Sequence, residues 1–164
     1  MTVSSELPYR PCVGIVLVNR DNLVWIGRRP DVADEEGRGQ WWQMPQGGID
    51  DGEDPKSSAK RELAEETGVR SAELMAEAPH WYYYDLPPNL VGVSWGGKYR
   101  GQKQRWFAFR FTGEDSEIDI SPHGHKQEFD QWRWIGLEEV RDLVVPFKRK
   151  VYEQVVDAFR PLLS

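Results

Sequence analysis

The chain has 164 residues, enough for one domain with its own core and with no need of a second. It carries 21 basic and 27 acidic residues, and a net charge of −6 argues against a protein that coats nucleic acid through bulk charge, while leaving room for a local basic cleft. The lone cysteine, Cys12, excludes an internal disulfide, and no apolar run reaches the length of a membrane span, so a soluble cytoplasmic protein with no membrane contact is expected.

Residues 1–8 are polar and read as loose. Residues 12–18 form a short β-rich apolar run suited to a buried strand, residues 19–22 are its turn, and residues 23–28 read as the returning strand of a hairpin. That hairpin predicts a cluster of Arg10, Arg28 and Arg29. Residues 30–40 are acidic and glycine-containing, a loop, and residues 41–45 a short extended segment.

The stretch 47–69 reads as a tight loop feeding a helix. Gly47, Gly48 and Gly52 offer the backbone freedom of such a loop, Asp54-Pro55 is a capping carboxylate followed by proline at the first helical position, and Gly68 ends the helix. Glu62 lies three residues before Glu65 and four before Glu66, so all three carboxylates leave one side of the helix. Like charges so spaced destabilise a helix by roughly 0.2–0.5 kcal/mol per pair, and Glu53 adds a fourth acid. Hard divalent cations, which prefer oxygen ligands, would offset that repulsion. An ordinary solvated acidic face with Lys60 and Arg61 as partners is the plainer alternative.

Beyond the helix, residues 72–86 carry the aromatic strand Trp81-Tyr-Tyr-Tyr84, residues 89–101 a glycine-rich connection, and residues 103–111 and 129–135 two further strands. The polar loop before Glu128 is long enough to suggest function. His123 and His125 on it are weak evidence for a transition-metal site and are read as surface residues; Ser57-Ser58 is read as helix surface. A short acidic helix follows residue 137, and residues 148–163 have helical spacing in Val151, Val155, Ala158, Phe159 and Leu162. By pattern alone this is an α+β or α/β domain.

The spacing Gly47, five residues, Glu53, seven residues, Arg61-Glu-Leu-Ala-Glu-Glu-Thr-Gly-Val69 resembles the signature box of the Nudix hydrolases at every defining position. The resemblance implies an α/β/α sandwich with a mixed β-sheet, a single domain over residues 1–164, and metal-dependent hydrolysis of a phosphoanhydride bond. It implies a metal set of Gly47, through its carbonyl, with Glu62, Glu65 and Glu66, and Mg²⁺ or Mn²⁺ as cofactor. Arg61 would orient the glutamates, and Glu128, from outside the box, would complete the metal site and the catalytic set. The segments 9–16, 42–49, 101–107, 128–134 and 147–152 look like the bacterial RNA pyrophosphohydrolases and the related diadenosine tetraphosphate hydrolases. Carried over position by position, Arg10, Arg29 and Lys148 would meet phosphates, Gln43 would lie beside the substrate, and Tyr84 and Phe147 would pack on a base or ribose. The expected substrate is 5′-triphosphorylated RNA, with a dinucleoside polyphosphate such as diadenosine tetraphosphate as the alternative. No protein partner is evident in the sequence.

Overall fold

The computed structural model describes residues 6–30, 41–121 and 127–163. Eight strands form one mixed sheet: β1 (Tyr9–Val18), β2 (Val24–Arg29), β3 (Trp41–Gln43), β4 (Gln46–Gly48), β5 (Ala72–Glu77), β6 (Tyr82–Asp85), β7 (Gly101–Phe111) and β8 (Gln131–Ile135). The sheet runs β3-β2-β1-β7-β5, with β4 paired to β1, β6 to β7 and β8 to β2. Its spine is the parallel pair β1 and β7, in register from Tyr9 opposite Gly101 to Val18 opposite Arg110.

Each face of this spine buries a different core, because side chains alternate along a strand. Val13, Ile15, Leu17, Phe107 and Phe109 pack against Ala59 and Leu63 of α1 (Pro55–Thr67). On the other face Val16, Trp106 and Ala108 join Val151, Tyr152, Val155 and Phe159 of α3 (Arg149–Leu163), with α2 (Val140–Leu143) beside it. The α/β/α sandwich with a mixed sheet is therefore borne out.

The helix α1 starts and stops where its sequence says. Asp54 accepts a hydrogen bond from the Ser57 amide at 3.0 Å, Pro55 occupies the first turn, and Gly68 closes the helix at φ 76°. Three details differ from expectation. Residues 72–86 hold two strands rather than one, separated by the buried Ala78. Ser58 is buried and donates to Glu53, so it is not helix surface. Leu162 is exposed, one turn past the last buried position of α3.

Candidate active site

Gln46–Gly48 is a strand, hydrogen-bonded antiparallel to β1, and of the three glycines expected in a loop only Gly52 has a positive φ, 79°. The need for glycine at 47 and 48 is therefore space, not backbone freedom. A Cβ on Gly47 would stand 2.0 Å from Glu62 Cδ, and one on Gly48 would stand 2.6 Å from Arg10 Nη2. The bare backbone of β4 lets an acid from α1 and a base from β1 close on it from two directions.

Arg61 knits the helix to this strand. Its guanidinium donates to Glu53 at 2.9 Å, to Glu62 at 2.8 Å, to Glu65 at 3.2 Å and to the Gly48 carbonyl at 2.9 Å. Glu53, bonded also by Ser58, is thereby held down to about 2, hydrogen bonding by Arg61 being the main cause. The Arg61 guanidinium thus places positive charge among three acids of this face and ties them to the Gly48 carbonyl.

Glu62 and Glu66 point inward. Burial pushes Glu62 up to about 7, against the pull of Arg61, and Glu65 and Glu128 add to the rise. Glu66, 8% exposed, accepts from the Gln46 amide at 3.2 Å; burial, then Glu62 and Glu128, push its carboxyl well above the usual range. Glu128, in the segment before β8, ion-pairs with Arg29 at 3.3 Å. So residues from α1 and from far along the chain are brought to one place.

The cationic side of the same cleft is Lys148, the residue just before α3. Its ammonium is buried, 3.3 Å from Gln43 Oε1 and 5.8 Å from the centre of the Tyr84 ring. Burial, with Arg29 next, pulls it down to about 7, while Glu66 and Glu128 oppose that fall. Gln43 Nε2 is buried and has no hydrogen-bond partner among the described residues, an arrangement that ordinarily costs about 1–3 kcal/mol. Arg10 donates to the Cys12 thiol at 3.6 Å and lies 5.5 Å from the centre of the Trp95 ring.

Several expectations change. Arg28 does not join Arg10 and Arg29, because it turns to Asp130 and bonds that carboxylate at 2.8 Å. Neighbouring residues on a strand face opposite ways, so Arg28 and Arg29 could not both enter the cleft. Tyr84 belongs to the core, 6% exposed with its ring 5.8 Å from that of Phe147, which is half-buried. His123 and His125 lie outside the described residues. Sequence reasoning passed over the buried amides Gln102 and Gln104, which bond each other at 2.6 Å, with Gln104 also reaching Gln46 at 3.0 Å. Their period of two on an otherwise apolar strand face was the available signal.

Among the described residues no three His, Cys, Asp or Glu side chains already form a group able to hold a metal ion. Glu62 and Glu65 are turned to Arg61, Glu66 to the Gln46 amide and Glu128 to Arg29. The donor set nevertheless fits a hard divalent cation. The carboxylates are all oxygen donors, Glu62 lies directly over the bare Gly47 backbone, and the charge of Glu128 raises the proton affinity of both Glu62 and Glu66. Gly47→Ala tests that fit. Its Cβ meets only the end of a flexible side chain, so Tm should stay near that of the parent while kcat falls at least about ten-fold through displacement of Glu62. Unchanged turnover would separate the Glu62 position from the chemistry.

A mixed sheet between two helical layers, with a glycine-edged strand facing a glutamate-rich helix, defines a class, and residues 8–155 match the NUDIX domain. The chain belongs to that family, whose members generally use divalent metals. It is 57% identical over 164 residues to a protein of Rhizobium meliloti (strain 1021) named RNA pyrophosphohydrolase, covering 98% of each chain. A protein of the same name from Mesorhizobium japonicum is 59% identical over 95% of this chain and 92% of its own. Among solved structures, the MutT protein of Methanosarcina mazei superposes with a TM-score of 0.62 at 20% identity, covering 93% of this chain and 95% of that one. That last likeness is one of fold.

Proposed function

We propose that this chain removes pyrophosphate from the 5′-triphosphate end of RNA, in the cytoplasm, with Mg²⁺ or Mn²⁺ as cofactor, and that residues 1–164 make one domain for that purpose. The observation that carries the reading is the meeting of opposite charges in one cleft. Glu62 and Glu128 act on Glu66 there, Arg29 acts on Glu66 and ion-pairs with Glu128, and Lys148 acts on Glu66 and Glu128. An acidic cluster alone attracts cations and a basic one alone attracts anions. The two together suit a polyphosphate bound with a divalent cation. The name carried by the relatives at 57–59% identity supports RNA as the bearer of that polyphosphate.

In this reading Glu62, Glu65, Glu66 and Glu128, with the Gly47 carbonyl, hold the cation, which when bound neutralises phosphate charge and lowers the pKa of water. Lys148, Arg29 and Arg10 take the phosphate oxygens, where guanidinium forks and an ammonium charge are both suited. Gln43 offers its partnerless Nε2–H groups to the same chain of phosphates. Arg61 keeps Glu62 and Glu65 in place from behind. Tyr84 acts through Lys148 and Phe147, which pack on it, leaving the half-buried Phe147 ring for a base or ribose. Water attacks phosphorus, its proton passes to a carboxylate of the set, and the P–O bond to the departing pyrophosphate breaks.

Triphosphorylated RNA and diadenosine tetraphosphate assayed side by side, with products resolved, test the reading. The expected result is 5′-monophosphorylated RNA and pyrophosphate from the better substrate, lost in chelator and restored by Mg²⁺ or Mn²⁺. ATP and AMP from a strongly preferred dinucleotide would overturn the RNA assignment, and full activity in chelator would overturn the metal assignment.

A further inference from the structure

The chain is acidic overall, yet residues 86–113 contain no aspartate or glutamate and five basic residues, Lys98, Arg100, Lys103, Arg105 and Arg110. Strand pairing places part of this segment back to back with the cleft. Arg10, Gln102 and Tyr84 are neighbours across three strands, on the cleft side of the sheet. The residues alternating with them, Tyr9, Lys103 and Tyr83, therefore share the opposite face, together with Arg105. Helix α1 packs on that face against Val13, Ile15, Phe107 and Phe109, further along the same strands.

The outer face so formed is aromatic and basic. Tyr83 is 48% exposed and meets Tyr9 edge to face at 5.0 Å. Trp81 lies with its ring centre 4.9 Å from Lys103 Nζ and 5.6 Å from Arg105 Cζ, and Arg100 lies 4.7 Å from the centre of Tyr9. Asp85 and Glu77 pair with Arg100 and Arg105 and hold them at the margins. Rings on a sheet face, interleaved with cations, are the arrangement on which single-stranded nucleic acid stacks its bases and neutralises its phosphates.

We propose that this face, Trp81, Tyr83, Lys103 and Arg105 with Tyr9, is a docking track for the single-stranded RNA that follows the substrate's first nucleotides, an inference that rests on the RNA reading of the cleft. Among the described residues β6 is paired only to β7, so RNA leaving the cleft beside Tyr84 has one β-strand to cross before it reaches Tyr83. Arg100 and Arg105 are matched there by Asp85 and Glu77, so Lys103 supplies the positive charge that the track offers a polyanion in a protein whose net charge is −6.

The test is the full chain carrying Tyr83→Ala with Lys103→Gln, compared with the parent on two triphosphorylated substrates, a dinucleotide and a single strand of about twelve nucleotides, a length within the usual site sizes. The variant should raise KM for the long strand roughly ten-fold or more, leave kcat and the dinucleotide unchanged, and flatten the log–log salt slope of binding by about 0.7 for the lost lysine. Tyr83→Phe with Lys103→Arg should restore parental behaviour, which a folding defect would not predict. Binding of a 5′-hydroxyl strand, read by fluorescence anisotropy, tests the face without hydrolysis, so a failure of the RNA reading of the cleft is seen separately. Unchanged affinity for the long strand overturns the track, as does an equal loss for both lengths.

Discussion

Glu66→Gln should lower kcat about a hundred-fold or more while leaving KM within a few-fold, because one lost cation ligand removes several kcal/mol of transition-state stabilisation. The substitution is nearly isosteric, and the oxygen it keeps can still accept from the Gln46 amide, now 3.2 Å from the carboxylate. Stability should hold or rise. Burial keeps the Glu66 carboxyl well above its ordinary value of 4.5, so in cation-free buffer the unfolded chain loses that proton first and the folded state loses stability as pH climbs past that value. The substitution removes this dependence. Single-turnover kinetics with Tm across pH give both readouts, and near-parental kcat would take Glu66 out of the metal set. Glu65→Gln should likewise reduce kcat, at a position open to solvent.

The contrast between these two acids marks how much the sequence could tell. The i, i+3, i+4 spacing put Glu62, Glu65 and Glu66 on one side of α1, and the caps at Asp54 and Gly68 fixed that helix to the residue. Spacing does not report depth. Only the packing of α1 on β1 and β4 makes Glu66 buried, Glu62 nearly so and Glu65 open. Gly47 and Gly48 were misread for the same reason. A glycine pair suggests a turn when only local backbone is considered, whereas here the absent Cβ atoms make room for Glu62 and Arg10, partners set by tertiary contact. Arg28 and Arg29 show the converse. Strand alternation was readable in advance and would have sent one of them away from the cleft, where Arg28 is found on Asp130. Glu128 was placed opposite the helix carboxylates only by resemblance, since nothing local joins residue 128 to residue 62. In the structure Glu128 ion-pairs with Arg29 and its charge raises the Glu62 carboxyl, while the segment 122–126 before it lies outside the described residues.

Lys148→Met should weaken substrate binding about ten- to hundred-fold, the worth of a charge-assisted hydrogen bond to a phosphate, and at the same time raise Tm. These opposite signs follow from one fact. The ammonium is buried beside Gln43 and Tyr84, and burial with the nearby Arg29 pulls its pKa down to about 7 from 10.5. Between those two values the unfolded chain binds a proton that the folded chain does not, so stability rises with pH through that window and the full penalty is felt below about 7. Methionine fills a similar volume and carries no charge to desolvate, so the variant should gain most at pH 6 to 7 and little above pH 10.5, where both states of the parent are already neutral at this position. Gln43 Oε1 loses its donor in the variant, which tempers the gain. A phosphate chain adds counter-charge to that of Glu66 and Glu128, so substrate should raise the Tm of the parent more than that of the variant. Tm measured against pH, with and without a non-hydrolysed triphosphate, separates the outcomes. Equal stabilisation of both proteins by the ligand would show that Lys148 does not meet phosphate, and a lower Tm for the variant at pH 6 would show that its ammonium holds the cleft together.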